Sequence, residues 1–132
     1  MRIAAAIIER DMMTDKIAIT VTGPDGVDAP MDPQFGRSPY LLLVDGRTHQ
    51  ALETLSNDVS EVVHGAGTHT ASLVAQNGVT DVISGQYGPR ALAALEQLNV
   101  RMWVAPSGLS AGEALAEFIK GNLSLHTLTV FT

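Results

Sequence analysis

Two glycine-bearing turns, each leading into a predicted helix, constrain the fold of this 132-residue chain more than any other feature. Residues 64–89 read HGAGTHTASLVAQNGVTDVISGQYGP. Glycines precede a predicted helix at about residues 68–77, and Gly78 closes it. The following segment is rich in β-branched side chains, which predicts a buried strand, and Pro89 marks the first turn of a second helix. In open α/β sheets, turns of this kind meet at the carboxyl edge, where ligands bind.

The rest of the chain predicts an α/β fold with a mixed sheet. Asp45-Gly46 lies between two apolar runs and predicts a hairpin. Ser110 and Glu113 have the spacing of a capping box at the start of the last helix. The predicted strands lie at residues 17–21, 40–44, about 50–55, 81–84 and 101–105, and the helices at 68–77, 89–98 and 110–121. A hairpin followed by βαβα units predicts a mixed five-stranded sheet with helices on both faces.

We assign residues 13–123 to one domain, residues 1–12 to an N-terminal extension and residues 124–132 to a C-terminal strand or tail. The N-terminal apolar segment, residues 3–8, is short for a signal peptide, and no apolar run reaches the roughly 18 residues that span a bilayer. The sequence therefore predicts a cytoplasmic protein without a membrane partner.

Charge and cysteine content exclude several classes of site. Eight Lys and Arg stand against 14 Asp and Glu, a net charge of -6, which argues against general nucleic-acid or acidic-membrane binding. There are no cysteines, so a disulfide scaffold, a thiolate zinc site and a cysteine-ligated iron–sulfur cluster are excluded. Metal ligands must come from His, Met, Asp, Glu or the backbone.

The carboxyl edge is predicted to form a pocket for an anion or a cluster. Four loops are expected there, at residues 23–37, 64–68, 85–89 and 106–110, and they bring into range Met31, Arg37, His64, His69 and Arg90. Arginine makes bidentate contacts to carboxylates, and neutral histidine ligates metals. His69 lies in a predicted first helical turn, where the helix dipole disfavours its protonation.

Each of these residues also has a purely structural interpretation. His64 is equally consistent with a helix cap or a solvent-facing side chain, and Arg37 with a bond to loop carbonyls. Met31 is more often a core residue than a thioether ligand. Arg90 and His69 are also compatible with exposed helix positions.

Enzymatic signatures are absent from the sequence. It contains no cysteine nucleophile, no G-x-S-x-G elbow and no Walker A loop, and Gly65-Ala66-Gly67 lacks the third glycine of a dinucleotide fingerprint. A two-metal nuclease needs converging carboxylates, but the first strand carries none. These features argue against a nicotinamide enzyme and against a two-metal nuclease.

The segment DPQFGRSPY at residues 32–40, followed by apolar residues 41–44 and Asp45, resembles the FGR-x-P-x-F-hydrophobic-D signature of the dinitrogenase iron–molybdenum cofactor biosynthesis proteins. This family includes the NifX-like carriers, the carboxyl-terminal part of NifB and the small Orange-type proteins. The similarity continues through Gly65-Ala66-Gly67, Gly78-Val79, Asp81-Val82-Ile83, Gly88-Pro89 with Ala91-Leu92, Leu95, and Glu113-Ala114-Leu115 to Gly121-Asn122-Leu123. It covers residues 16–123 in order.

The resemblance implies a ribonuclease H-like, three-layer α/β/α fold without nuclease activity. It also implies non-covalent binding or carriage of an iron–molybdenum or related metal–sulfur cluster, or its precursor, during metallocofactor assembly linked to nitrogen fixation. The cluster-binding candidates are Gln34, Gly36, Arg37, Gly65, Gly67, Gly88 and Arg90, and the metal-ligand candidates are His64 and His69. Many members have His where this chain has Gln34, and Gln is a poor metal ligand.

Two other functions stay open at this point. The chain resembles, alternatively, a metal-free protein–protein interaction module or regulator derived from the family, which Gln34 favours. An enzyme that acts on a small phosphorylated or carboxylated molecule is the third possibility. The expected partners are the cluster and a cofactor-assembly or client metalloprotein, and the expected oligomeric state is a monomer or homodimer.

Overall fold

A computed structural model describes residues 14–59 and 64–126 of the protein as a mixed sheet packed between helices. The strands are β1 Lys16–Val21, β2 Tyr40–Asp45, β3 Ala51–Ser56, β4 Asp81–Ser84, β5 Arg101–Val104 and β6 Ser124–His126. The helices are α1 Ala66–Gln76, α2 Pro89–Gln97 and α3 Ala111–Ile119. None of the helices in the described ranges is long and apolar enough to cross a membrane.

The sheet has six strands in the order β3-β2-β1-β4-β5-β6. β1, β4 and β5 are mutually parallel, β2 is antiparallel to both β1 and β3, and β6 is antiparallel to β5. The predicted hairpin and mixed sheet are confirmed. The predicted count of five strands is wrong, because residues 124–126 pair with residues 102–104 and extend the sheet at that edge.

Two apolar cores lie on opposite faces of the sheet and give the three layers. One face packs against α1 and α2, with Val74 and Leu95 fully buried, and the other packs against α3, with Ala114 fully buried. The ribonuclease H-like designation stays a prediction. Residues 1–12 and residues 127–132 of the predicted terminal segments lie outside the described residues.

A buried charge pair fixes the amino edge of the sheet, opposite the predicted pocket. Asp81 begins β4 and is 0% exposed. Its two carboxylate oxygens accept bonds from Arg101 at 2.8 and 2.9 Å, and one also accepts the Trp103 indole N–H at 2.8 Å. The Thr80 hydroxyl donates to the other oxygen at 2.7 Å. Because every oxygen is bonded, this charge is compensated within the core.

Candidate functional site

A cavity of about 650 Å³ opens at the carboxyl edge of the sheet, where the predicted pocket was expected. Three segments line it, at residues 34–37, 64–67 and 86–91. The structure brings together eight of the nine predicted site residues: Gln34, Gly36, Arg37, His64, Gly65, Gly67, Gly88 and Arg90. The ninth, His69, is exposed on α1 and does not line the cavity.

Glycines let three backbone segments converge at this cavity. A Cβ atom on Gly36 would lie 3.0 Å from the backbone N and Cα of Gly67. A Cβ atom on Gly67 would in turn lie 2.9 Å from the Cβ of Ala91 in α2. The first turns of α1 and α2 therefore meet beside the loop at residues 34–37, because neither glycine carries a side chain.

The helix starts at the cavity are left uncapped by side chains. α1 and α2 have no side-chain hydrogen bond at their N-caps, Gly65 and Gly88, and no acidic residue in their first turns. α3, by contrast, starts with a complete capping box between Ser110 and Glu113, as predicted. The first N–H groups of a helix have no intrahelical acceptor and carry partial positive charge. Both helices therefore begin with partial positive charge beside one cavity, a combination that favours an anion.

The two arginines belong to different segments of the lining, Arg37 to residues 34–37 and Arg90 to residues 86–91. Arg90 is exposed in the first turn of α2. Arg37 is exposed as well, and its Nη1 donates to the Val59 carbonyl at 3.2 Å. The structural interpretation of Arg37, a bond to a loop carbonyl, is therefore observed. Arg37 also lines the cavity, and its role in binding stays a prediction.

The two histidines predicted as metal ligands lie in different places. His64 lines the cavity, whereas His69 does not. Among residues 14–59 and 64–126, no three His, Cys, Asp or Glu side chains gather to hold a metal ion. Met31 is 3% exposed in the core beneath α3, so packing is its observed role.

Sequence reasoning missed the aromatic floor of the cavity. The rings of Phe35 and Tyr87 lie with centroids 5.5 Å apart, and both residues are buried. The Tyr87 hydroxyl donates to the Trp103 carbonyl at 2.7 Å. Burial raises the pKa of this hydroxyl well above its ordinary value, because the phenolate would lose its hydration there. An aromatic residue in the turn that follows β4, between Gln86 and Gly88, was the available signal.

This pKa shift predicts alkaline instability. Since the folded-state pKa of Tyr87 is raised, the unfolded chain ionises first, so its contribution to stability is complete below about pH 10 and is lost as the pH rises further. We expect the urea midpoint of the wild type to begin to fall near about pH 10 and to keep falling as the pH is raised further. Tyr87→Phe should be less stable at neutral pH but show a flatter decline. Parallel declines in the two proteins would contradict this role of Tyr87.

Comparison with known proteins adds the family context of this cavity. The profile of the dinitrogenase iron-molybdenum cofactor family matches residues 15–121. An uncharacterised protein of Methanocaldococcus jannaschii is 30% identical over 95 residues, which cover 70% of this chain and 80% of that protein.

Solved structures show the same fold. The apo form of the orange protein from Desulfovibrio gigas is 33% identical, with a TM-score of 0.79 over 85% of this chain and 92% of that chain. The NMR structure of a Thermotoga protein, provisionally named a NifB protein of the DUF35 family, is 25% identical, with a TM-score of 0.74 over 89% of this chain and 97% of that chain. The family profile covers strands β1 to β5 and all three segments that line the cavity.

Proposed function

Since this chain belongs to the dinitrogenase iron–molybdenum cofactor family, we propose that it is a non-catalytic, cytoplasmic carrier of a metal–sulfur cluster. The family is linked to biosynthesis of the iron–molybdenum cofactor and to nitrogen fixation. The cargo would be the iron–molybdenum cluster, a related cluster or a precursor, held in the cavity between α1 and α2 until a client metalloprotein takes it.

One observation carries the proposal: the charge of the cavity opposes the charge of the chain. The protein has a net charge of -6, yet among the residues that the structure describes the cavity lining includes Arg37 and Arg90 and no carboxylate. The uncapped starts of α1 and α2 add partial positive charge at the same place. A cavity of this kind favours an anion, and metal–sulfur clusters of this class are anionic.

The hydrogen-bond donors in the cavity lining support reversible binding of the cargo, which a carrier needs. Sulfide and carboxylate oxygens accept hydrogen bonds, and the cavity offers guanidinium groups, the side-chain amides of Gln34 and Gln86, and backbone N–H groups. Among the described lining residues, His64 carries the only imidazole. Binding would therefore rest mainly on charge and hydrogen bonds, which suits a cargo that is passed on to another protein.

The two histidines should behave differently. We expect His64→Ala to weaken cluster binding by about tenfold, the loss of one ligand or one charge-assisted bond. His69→Ala should leave affinity unchanged, because His69 lies outside the cavity. Anaerobic titration of each variant with isolated cluster measures both. Equal losses in the two variants would show that the cargo sits on α1 rather than in the cavity.

The proposal is tested by mixing purified apo-protein, without oxygen, with isolated iron–molybdenum cofactor, followed by gel filtration and metal analysis of the protein peak. We expect iron and molybdenum to co-elute with the protein near one cluster per protomer. Metal-free protein, with the cluster in a separate fraction, would overturn the proposal for this cargo.

A second function is favoured by one feature of the site. Gln34 is exposed at the cavity where a stronger metal ligand would strengthen binding, and the described residues hold no group of three metal-ligating side chains. A metal-free module that docks on a metalloprotein or regulator is consistent with this. It predicts that the protein takes up no metal under anaerobic conditions but is retained by an immobilised client protein.

A further inference from the structure

The wall of the cavity is fixed to the carboxyl ends of the central strands. The backbone N–H of Asp32 donates to the Thr20 carbonyl of β1 at 2.8 Å. The Gln86 N–H donates to the Pro33 carbonyl at 2.8 Å, and the Phe35 N–H donates back to the Gln86 carbonyl at 3.1 Å. The segment from Asp32 to Phe35 therefore continues the sheet beyond β1 and β4.

Two fully buried hydroxyls lie beneath this segment. Thr20 lies near the carboxyl end of β1, and Ser84 is the last residue of β4. Both residues are 0% exposed. Their oxygens are 2.8 Å apart. Both face the carbonyl of Asp32, with Thr20 Oγ1 at 2.7 Å and Ser84 Oγ at 3.4 Å.

The number of hydroxyl protons determines which hydrogen bonds these two side chains can donate. Each hydroxyl has one proton, so one proton joins the two oxygens and the other is donated to the Asp32 carbonyl. The shorter distance makes Thr20 the donor to Asp32 and Ser84 the donor to Thr20. The Asp32 backbone is thus held from both sides, because Thr20 accepts its N–H and donates to its carbonyl.

We propose that Thr20 and Ser84 are positioning residues for the ligand cavity, acting through Asp32 on Gln34. Asp32 completes the connection, since its Oδ1 accepts the backbone N–H of Gln34 at 2.9 Å. Gln34 is the first residue of the lining that leads to Gly36 and Arg37. The inference rests on the proposed function, because it assigns the buried pair a role in binding the cargo.

The opposite edge of the sheet offers a matched control. The Thr80 hydroxyl is also mostly shielded, and it bonds Asp81 at 2.7 Å and the backbone around Lys16. It lies at the amino edge, away from the residues that line the cavity. Thr80→Val and Thr20→Val each remove one threonine hydroxyl and keep the shape of the side chain, so both are expected to lower the free energy of unfolding. Of the two residues, only Thr20 is connected to the cavity wall.

The experiment measures the affinity of each variant for isolated iron–molybdenum cofactor under anaerobic conditions, well below its unfolding temperature. We expect Thr20→Val to bind about tenfold more weakly, and Ser84→Ala less than about threefold, because Thr20 still reaches Asp32 without Ser84. Thr20→Ser, which restores the hydroxyl, should recover binding, and Thr80→Val should bind like the wild type.

Amide hydrogen exchange gives a readout that needs no ligand. The Gln34 and Phe35 amides should exchange faster in Thr20→Val than in Thr80→Val at equal global stability. If the wild type binds the cluster and Thr20→Val binds it equally well, the inference is overturned while the proposed function stands. If the wild type binds no cluster, the proposed function fails and the inference fails with it.

Discussion

Replacing Asp81 with alanine is expected to lower the free energy of unfolding by about 3–5 kcal/mol, a large part of the total for a domain of this size. The reason is that Asp81 compensates Arg101, whose side chain is only 18% exposed, and also accepts the indole N–H of Trp103. Removing the carboxylate takes away the acceptor that the largely buried Arg101 and the partly buried Trp103 indole N–H share. Urea denaturation followed by circular dichroism at neutral pH measures the loss.

Asp15→Ala is the matched control for this prediction. Asp15 pairs with Arg47 at 3.6 Å, and both side chains are more than half exposed, so that pair is expected to contribute less than about 1 kcal/mol. A loss in Asp81→Ala as small as in the control would mean that water or rearrangement of Arg101 compensates the missing charge. The Asp81–Arg101 pair would then not be a major source of stability at the amino edge of the sheet.

Removing both cavity arginines is expected to weaken binding of the iron–molybdenum cluster by at least about 100-fold. A hydrogen bond to a charged group contributes about 1.5–3 kcal/mol, and 1.4 kcal/mol corresponds to about tenfold in affinity. Arg37 and Arg90 each lie in the lining and are exposed, so Arg37→Ala/Arg90→Ala removes both contacts without emptying the core. Anaerobic titration at fixed ionic strength measures the effect.

The control changes the net charge by the same amount elsewhere. Arg47 and Lys120 are 72% and 64% exposed in their side chains and lie outside the cavity. Arg47→Ala/Lys120→Ala should therefore retain most of the affinity, with only a small loss that disappears as salt is added. Similar losses in the two double variants would assign binding to the overall charge of the protein rather than to the cavity.

The central strands of the fold could be predicted from sequence because burial dictates their composition. Residues 17–21 of β1 are all buried, and so are all four residues of β4, which leaves little freedom in their side chains. β6 has the opposite character. Two of its three residues are exposed, so the sequence left residues 124–132 as either a strand or a tail, and the position of β6 depends on pairing with β5. That pairing is a tertiary contact that local sequence does not encode.

The location of the site was also predictable, but its composition was only partly so. Loops after parallel strands meet at one edge whatever their sequence, which places Arg37, His64 and Arg90 together. The separation of His69 from His64 depends on the phase of α1, because a helix turns by about 100° per residue. The floor of the cavity depends on a ring contact between Phe35 and Tyr87, which lie on different loops. The sequence of each loop alone does not predict that contact.

The central claim is that an anionic metal–sulfur cluster sits between the starts of α1 and α2. Crystals of the protein loaded without oxygen with iron–molybdenum cofactor, measured at the molybdenum absorption edge, test this most directly. We predict one anomalous peak within the cavity bounded by residues 34–37, 64–67 and 86–91. A peak elsewhere on the protein, or loaded crystals with an empty cavity, would contradict the claim.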